Sequence, residues 1–152
     1  MSSTAAGDVP GSDVALKAAL HHVFDTQIPN YGDYNLVCAS ECGGTVTGQR
    51  PAAPVPAGII VGYRRRPVEL ILTPFNRATL AALDRPVAID LSNLAFVAEA
   101  APGAFDIAMS TGRIITLTLR ATCVLGPHSA STLSQDEDAA DLASFLRDLA
   151  DL

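Results

Sequence analysis

Two runs of alternating apolar and smaller or polar residues, separated by a glycine turn, constrain the fold of this chain most strongly. Large apolar residues occupy every second position over residues 105–109 and again over 115–119, and Thr111-Gly112 lies between the runs. A period of two places the apolar side chains on one face of a β-strand. Glycine also adopts the backbone conformations of a tight turn at little cost. The pattern therefore predicts a half-buried β-hairpin.

A helix is predicted after this hairpin, over residues 134–152. Ser134 and Glu137 have the spacing of a capping box, which satisfies free backbone N–H groups at a helix start. Four large apolar residues follow at helical spacing and form one stripe: Leu142, Phe145, Leu146 and Leu149. We therefore predict an α+β fold, with a small antiparallel sheet or partly open barrel and a C-terminal capping helix.

An N-terminal helix is predicted to begin at Ser12 and to end before Pro29, with an apolar stripe that includes Leu20 and Phe24. Residues 1–11 are small and polar, which predicts a disordered tail. Residues 12–152 are then expected to form one α+β domain.

The middle of the chain predicts further strands, one long loop and one segment whose structure the pattern leaves open. A strand is predicted over 34–40, a hairpin over 58–73, and strands over 87–91 and 94–97. Residues 43–57 are rich in glycine and proline and predict a mobile loop of unknown role. Residues 76–84 fit either a short helix capped by Asn76 or a strand, and the sequence leaves that choice open.

Charge is low and unevenly distributed. The chain has a net charge of −6, and only 17% of its residues are charged. Residues 135–152 hold six acidic residues and one arginine, so the rest of the chain is almost neutral. An acidic chain without a basic stripe is not expected to bind nucleic acid. The small number of charged residues favours a self-association surface.

The three cysteines predict free thiols in a reducing cytoplasm, because an odd and low count does not suit a disulfide framework. Cys38 and Cys42 lack a second pair of zinc ligands, so neither a metal site nor another cofactor is predicted.

Residues 1–10 lack the charged and apolar regions of a secretory signal. Since the apolar runs are too short to span a bilayer, stable membrane association is not expected.

Several segments together resemble the later part of a pleckstrin-homology or GRAM-like domain. They are Leu70 to Pro74, Val87 to Leu94, the hairpin with Thr111-Gly112-Arg113 at its turn, and the final helix. The resemblance covers about residues 58–152 and implies a module that binds a ligand or a partner without catalysis. A shared fold would not by itself identify the ligand.

The sequence therefore favours a non-catalytic binding module that binds a protein partner or itself. One alternative is binding of an anion or lipid headgroup by Arg64, Arg65 and Arg66, which the sequence places at a hairpin tip. Guanidinium groups suit phosphate, but charge runs on turns are usually only solvated. A second alternative is an enzyme whose site is assembled from scattered residues. No catalytic residue can be assigned from sequence motifs, so enzymatic activity is not the favoured interpretation.

Overall fold

A computed structural model of the protein describes residues 13–28, 34–41, 57–126 and 131–152. The two helices in these residues are α1 (Asp13–Gln27) and α2 (Asp136–Ala150). The strands are β1 (Asn35–Glu41), β2 (Ala57–Arg65), β3 (Val68–Asn76), β4 (Val87–Asp90), β5 (Leu94–Ala101), β6 (Ala104–Met109), β7 (Ile114–Thr118), β8 (Thr122–Leu125) and β9 (Ser131–Ser134). Across these four ranges, the structure contains no helix that is both long and apolar enough to cross a membrane.

Seven strands form one antiparallel sheet in the order β4-β3-β2-β1-β7-β6-β5, and β8 pairs with β9 in a second small sheet. Strand β1 joins the two halves of the large sheet. Residues 35–39 pair with β2, whereas only Ser40 and Glu41 pair with β7. The predicted α+β class is confirmed, with an antiparallel, partly open sheet and a helix at each end of the chain.

Helix α2 covers one face of the sheet and forms the larger core. The predicted apolar stripe of α2 is buried, and Leu142 and Leu146 are fully enclosed. The ring of Phe145 packs against Tyr63 of β2 at 5.1 Å between centroids. Alternate residues of the strands, including Val61, Leu72 and Phe105, supply the other half of this core. The apolar faces of the strands and of α2 thus pack against each other.

Helix α1 and the β8–β9 hairpin cover the opposite face, but only over β1, β2 and β3. Phe24 is fully buried in this second core. A side chain at Gly62 would lie 2.5 Å from the Phe24 ring, so glycine is required for this close packing. A disulfide between Cys38 and Cys123 fastens β8 to the central strand β1.

The expectation of free thiols is therefore wrong for Cys38 and Cys123. The two residues are 85 positions apart in the chain, yet their Cα atoms are only 6.1 Å apart. Sequence spacing could not reveal this pair, since the chain fold alone brings β8 to β1. Cys42 lies outside the described residues.

A buried glutamine fills the gap where β1 and β7 separate. Continuing the β1–β7 register past Ser40 and Thr118 would place Cys38 opposite Arg120. The Gln135 side chain lies between these two residues instead. Its Oε1 accepts a hydrogen bond from the Cys38 N–H at 3.0 Å, and its Nε2 donates to the Cys38 and Arg120 carbonyls at 2.7 and 3.0 Å. The amide thus takes the place of one rung of the sheet.

Two predictions about the ends of local elements are wrong. Ser134 belongs to β9 rather than to a capping box, and Gln135 is the N-cap residue of α2 without a side-chain cap bond. Of residues 76–84, Asn76 ends β3 and the rest form turns and one isolated bridge, so the segment is neither a helix nor a regular strand. Asn76 does accept hydrogen bonds from the N–H groups of Ala78 and Thr79. The positive φ of Leu80 then turns the chain away from a helical path.

The predicted tail over residues 1–11 lies outside the described residues, as does the predicted loop apart from its last residue, Ala57. The predicted hairpins over 58–73 and 105–119 are confirmed as β2–β3 and β6–β7.

Replacing Gln135 by Met should lower the free energy of unfolding by about 2–4 kcal/mol, because Cys38 would keep a buried N–H and C=O without their present partners. Met retains the length of the side chain but provides no amide. Urea unfolding of the variant and the parent measures the difference. The control is Gln27→Met on the exposed end of α1, which should change stability by about 0.5 kcal/mol or less. Equal effects of both substitutions would show that the Gln135 bridge has no special role.

Reduction of the Cys38–Cys123 disulfide should lower the free energy of unfolding by about 3–5 kcal/mol, since the bond closes a long loop in the unfolded chain. Thermal unfolding with and without a reductant measures this loss. A double variant, Cys38→Ala with Cys123→Ala, should not respond to the reductant. Alkylation of three thiols in the unfolded, unreduced protein would show that the bond does not form.

Candidate functional site: the open half of the sheet

The predicted arginine cluster is divided between the two faces of the sheet. Arg64 and Arg65 are the last residues of β2, so their side chains alternate in direction. The Arg64 guanidinium lies 2.8 Å from a Glu69 carboxylate oxygen, and its central carbon is 4.8 Å from the centre of the Tyr34 ring. On the opposite face, Arg65 reaches Asp141 of α2.

The contact between Arg65 and Asp141 also includes Tyr63. Both Arg65 terminal nitrogens donate to the Asp141 carboxylate, at 3.1 and 3.2 Å, and the Tyr63 hydroxyl donates to the same group at 2.6 Å. The hydrogen bonds from Arg65 and then Tyr63 hold the pKa of Asp141 below its ordinary value. Burial, followed by the hydrogen bond to Asp141, raises the pKa of Tyr63. The ion pair and the Tyr63 hydrogen bond thus connect α2 to β2.

Arg66 is exposed at the turn, before a cis bond to Pro67. The structure therefore does not bring Arg64, Arg65 and Arg66 together on one surface. Two of the three guanidinium groups are occupied by carboxylates of the same chain. The sequence placed all three at the hairpin tip because it shows neither that β2 continues to Arg65 nor that Asp141 of α2 packs beside this residue.

Other histidine and acidic side chains of the described residues do not meet at one site either. His21 and His22 are exposed on α1. Asp90 accepts hydrogen bonds from Ser92 in its own turn, while Asp106 accepts one from the Thr116 hydroxyl. Within the residues that the structure describes, no group of three or more His, Cys, Asp or Glu side chains could hold a metal ion.

The face of the sheet opposite α2 has an open half over β5, β6 and β7. Neither α1 nor the β8–β9 hairpin is among the elements packed against this half in the described parts of the chain. Phe96, Ala108 and Ile114 lie side by side across the three strands. Phe96 and Ile114 are 51% and 55% exposed, whereas Ala108 between them is buried. Phe96 and Ile114 thus expose apolar side chains to solvent on either side of Ala108.

The two edges of the sheet differ in how they are protected. Strand β4 has four residues, follows Pro86 and ends at the charged Asp90. Short length, proline and charge are common ways to prevent pairing at an edge. Strand β5 has eight residues, and its one charged side chain, Glu99, is held by Arg147 of α2 at 2.9 Å. β-Bulges interrupt the pairing of β5 with β6, so that regular pairing is limited to about Phe96–Glu99. The remaining side chains leave this edge uncharged.

Sequence reasoning missed Phe96 as a candidate residue. The sequence predicts a strand only over 94–97 and does not assign its faces, because bulges interrupt the alternation that would mark them. A large aromatic residue among alanines at 95–101 was the available signal.

Comparison with models of known protein families found no match. Searches of curated proteins and of solved structures likewise found no significant match. The resemblance to pleckstrin-homology and GRAM-like domains therefore stays a prediction.

Replacing Asp141 by Asn should destabilise the protein by about 1 kcal/mol near pH 7, in the range of a partly exposed ion pair. Because the pKa of Asp141 is lowered in the folded state, its stabilisation is complete above the unfolded pKa. It is lost as the pH falls through the lowered folded pKa.

The stability difference between parent and variant should thus be constant from pH 7 to about 5 and shrink below about pH 4. Urea unfolding at several pH values measures it. Asp151→Asn, at the exposed end of α2, is the control, and it should not reproduce this dependence. A difference that grows on acidification would contradict the assigned ion pair.

Proposed function

We propose that this protein is a non-catalytic interaction module that associates with a second copy of itself through strand β5. The observation that carries the proposal is the uncharged edge of β5, with Phe96 exposed beside it on the open half of the sheet. An edge strand presents backbone N–H and C=O groups that readily pair with another strand, and Phe96–Glu99 is the regular stretch of this edge. The low fraction of charged residues supports the same interpretation.

Antiparallel pairing of two β5 strands about a two-fold axis would join the sheets of both copies. The axis would pass near Val97 and Ala98, in the regular stretch between the bulges. Each Phe96 would then lie beside small residues of the other strand, such as Ala98, since opposed residues share a face. The aromatic ring would lose much of its exposed area in this arrangement.

The same geometry predicts the effect of salt on association. A two-fold axis perpendicular to the sheet keeps both α2 helices on one face of the joined sheet. Each copy has a net charge of −6, most of it on residues 135–152, so the two copies repel each other electrostatically. Salt screens such repulsion and should strengthen the association.

Binding of an anion or lipid headgroup by Arg64, Arg65 and Arg66 is a weaker proposal. The exposed guanidinium of Arg66 supports it, but the ion pairs of Arg64 and Arg65 leave little free charge at the hairpin tip. No specific geometry of the described residues favours an enzyme, and a nucleic-acid partner is still not expected from the net charge.

A cytoplasmic location rested on the expectation of free cysteines. The Cys38–Cys123 disulfide removes that support, because disulfides persist mainly in oxidising compartments. Trapping of thiols in cells that express the protein would decide between the two environments.

Phe96→Lys should abolish self-association, because a lysine on an edge strand opposes pairing by charge. Sedimentation equilibrium over a wide concentration range measures the effect. Leu91→Lys is the matched control, since Leu91 is 57% exposed in the turn between β4 and β5. The parent and the control should both associate.

Amide hydrogen exchange identifies the mode of contact. Residues 96–99 should become protected as the protein concentration rises if the edges pair. A parent that stays monomeric at the highest concentration would refute the proposal. Protection of Ile114 with no change along β5 would instead indicate stacking of the open faces.

A further inference from the structure

A cavity of about 330 Å³ lies where β1, β7 and β8 come together, on the same face of the sheet as the open half. Its polar lining residues are Ser40, Arg77, Thr118, Arg120 and Thr122, and the Cys38–Cys123 disulfide forms part of its wall. Ligand sites in proteins commonly have volumes of about 300–1,000 Å³, so the cavity suits a small molecule.

The fold assembles this lining from segments far apart in sequence. Ser40 and Thr118 are opposite each other in the β1–β7 ladder, so their hydroxyl groups share one face. Thr122 is the first residue of β8, while Arg120 lies in the link between β7 and β8. Arg77 follows β3, and its aliphatic stem crosses Gly58, where an added Cβ would lie 2.9 Å from the Arg77 Cγ.

The cavity is lined by positively charged residues, although the protein as a whole is acidic. Among its lining residues there are two arginines and no aspartate or glutamate. The ion pairs formed within the described ranges use other basic residues, namely Lys17, Arg64, Arg65 and Arg147. The Arg77 Nε atom is buried and has no hydrogen-bond partner in the described part of the chain. A buried donor without an acceptor is costly, and an anion in the cavity would supply one.

We propose that this cavity binds a small phosphomonoester. The two arginines and three hydroxyl-bearing residues of the lining can offer many donors, which match the three oxygens and the charge of a phosphate. A carboxylate has two oxygens in one plane, and a single guanidinium fork can already satisfy both. Val124 and the disulfide provide an apolar wall for the organic part of the ligand. This inference is independent of self-association through β5.

Titration of the oxidised full-length chain with glycerol 3-phosphate, inorganic phosphate and malonate tests the proposal. Ionic strength is held constant with sodium chloride, since unspecific charge effects depend on salt. The N–H resonance of the Arg77 Nε and the backbone amides of Ser40 and Thr118 report binding by nuclear magnetic resonance. We expect saturable shifts with glycerol 3-phosphate and a dissociation constant of about 1 mM or lower.

Arg77→Gln and Arg120→Gln should each weaken binding about ten-fold or more, because each removes a charged hydrogen-bond fork. Arg120→Lys keeps the charge but loses the fork, and should fall between Arg120→Gln and the parent. The control is Arg113→Gln, an equal change of charge at the exposed β6–β7 turn, which should change the affinity by less than about two-fold. Circular dichroism and thermal unfolding establish that each variant is folded before its affinity is compared.

Three results would overturn the proposal. The first is a shift that grows linearly with all three anions and never saturates. The second is an equal loss of affinity in Arg113→Gln and in the two cavity variants. The third is tighter binding of malonate than of either phosphate compound, which would make the cavity a carboxylate site.

Discussion

The hydrogen bonds between Gln135 and Cys38 hold together the parts of this structure that local folding leaves separate. Strand β1 pairs with β2 along most of its length but with β7 through only two residues. A seven-stranded sheet would be weak at such a narrow junction. The Gln135 amide continues the hydrogen bonding past Ser40 and also fixes the start of α2 against the sheet. One side chain thus links the two halves of the sheet to the helix that covers them.

Cys38 is the point where these constraints meet. Its backbone binds Gln135, and its sulfur binds Cys123 of β8. The disulfide holds the β8–β9 hairpin over the first half of the sheet, where α1 completes the cover. Beyond this hairpin the same face stays open. The covered half provides stability, while the two proposed binding surfaces are the cavity and the edge beside the open half.

Charge is used differently on the two faces. On the α2 face, Arg65 and Arg147 are paired with Asp141 and Glu99, so the acidic helix is held to the sheet. On the other face, Arg77 and Arg120 line a cavity without acidic residues. A net charge of −6 gives no indication of this local excess of positive charge. The fold produces it by bringing together Arg77, which follows β3, and Arg120, which lies between β7 and β8.

Local sequence patterns were sufficient to predict most of the helices and strands. The alternation in β6 and β7 and the apolar stripe of α2 predict their structures, because burial on one face requires those periods. The capping box predicted at Ser134 is wrong, because Gln135 binds the distant Cys38, and the sequence left open whether residues 76–84 form a helix or a strand. The sequence by itself determined the α+β class and which side chains of β6, β7 and α2 are buried. Only the tertiary structure decided the Cys38–Cys123 bond, the division of the arginine cluster and the exposed position of Phe96. Each of these depends on strand order and register, which join residues that are far apart in the chain.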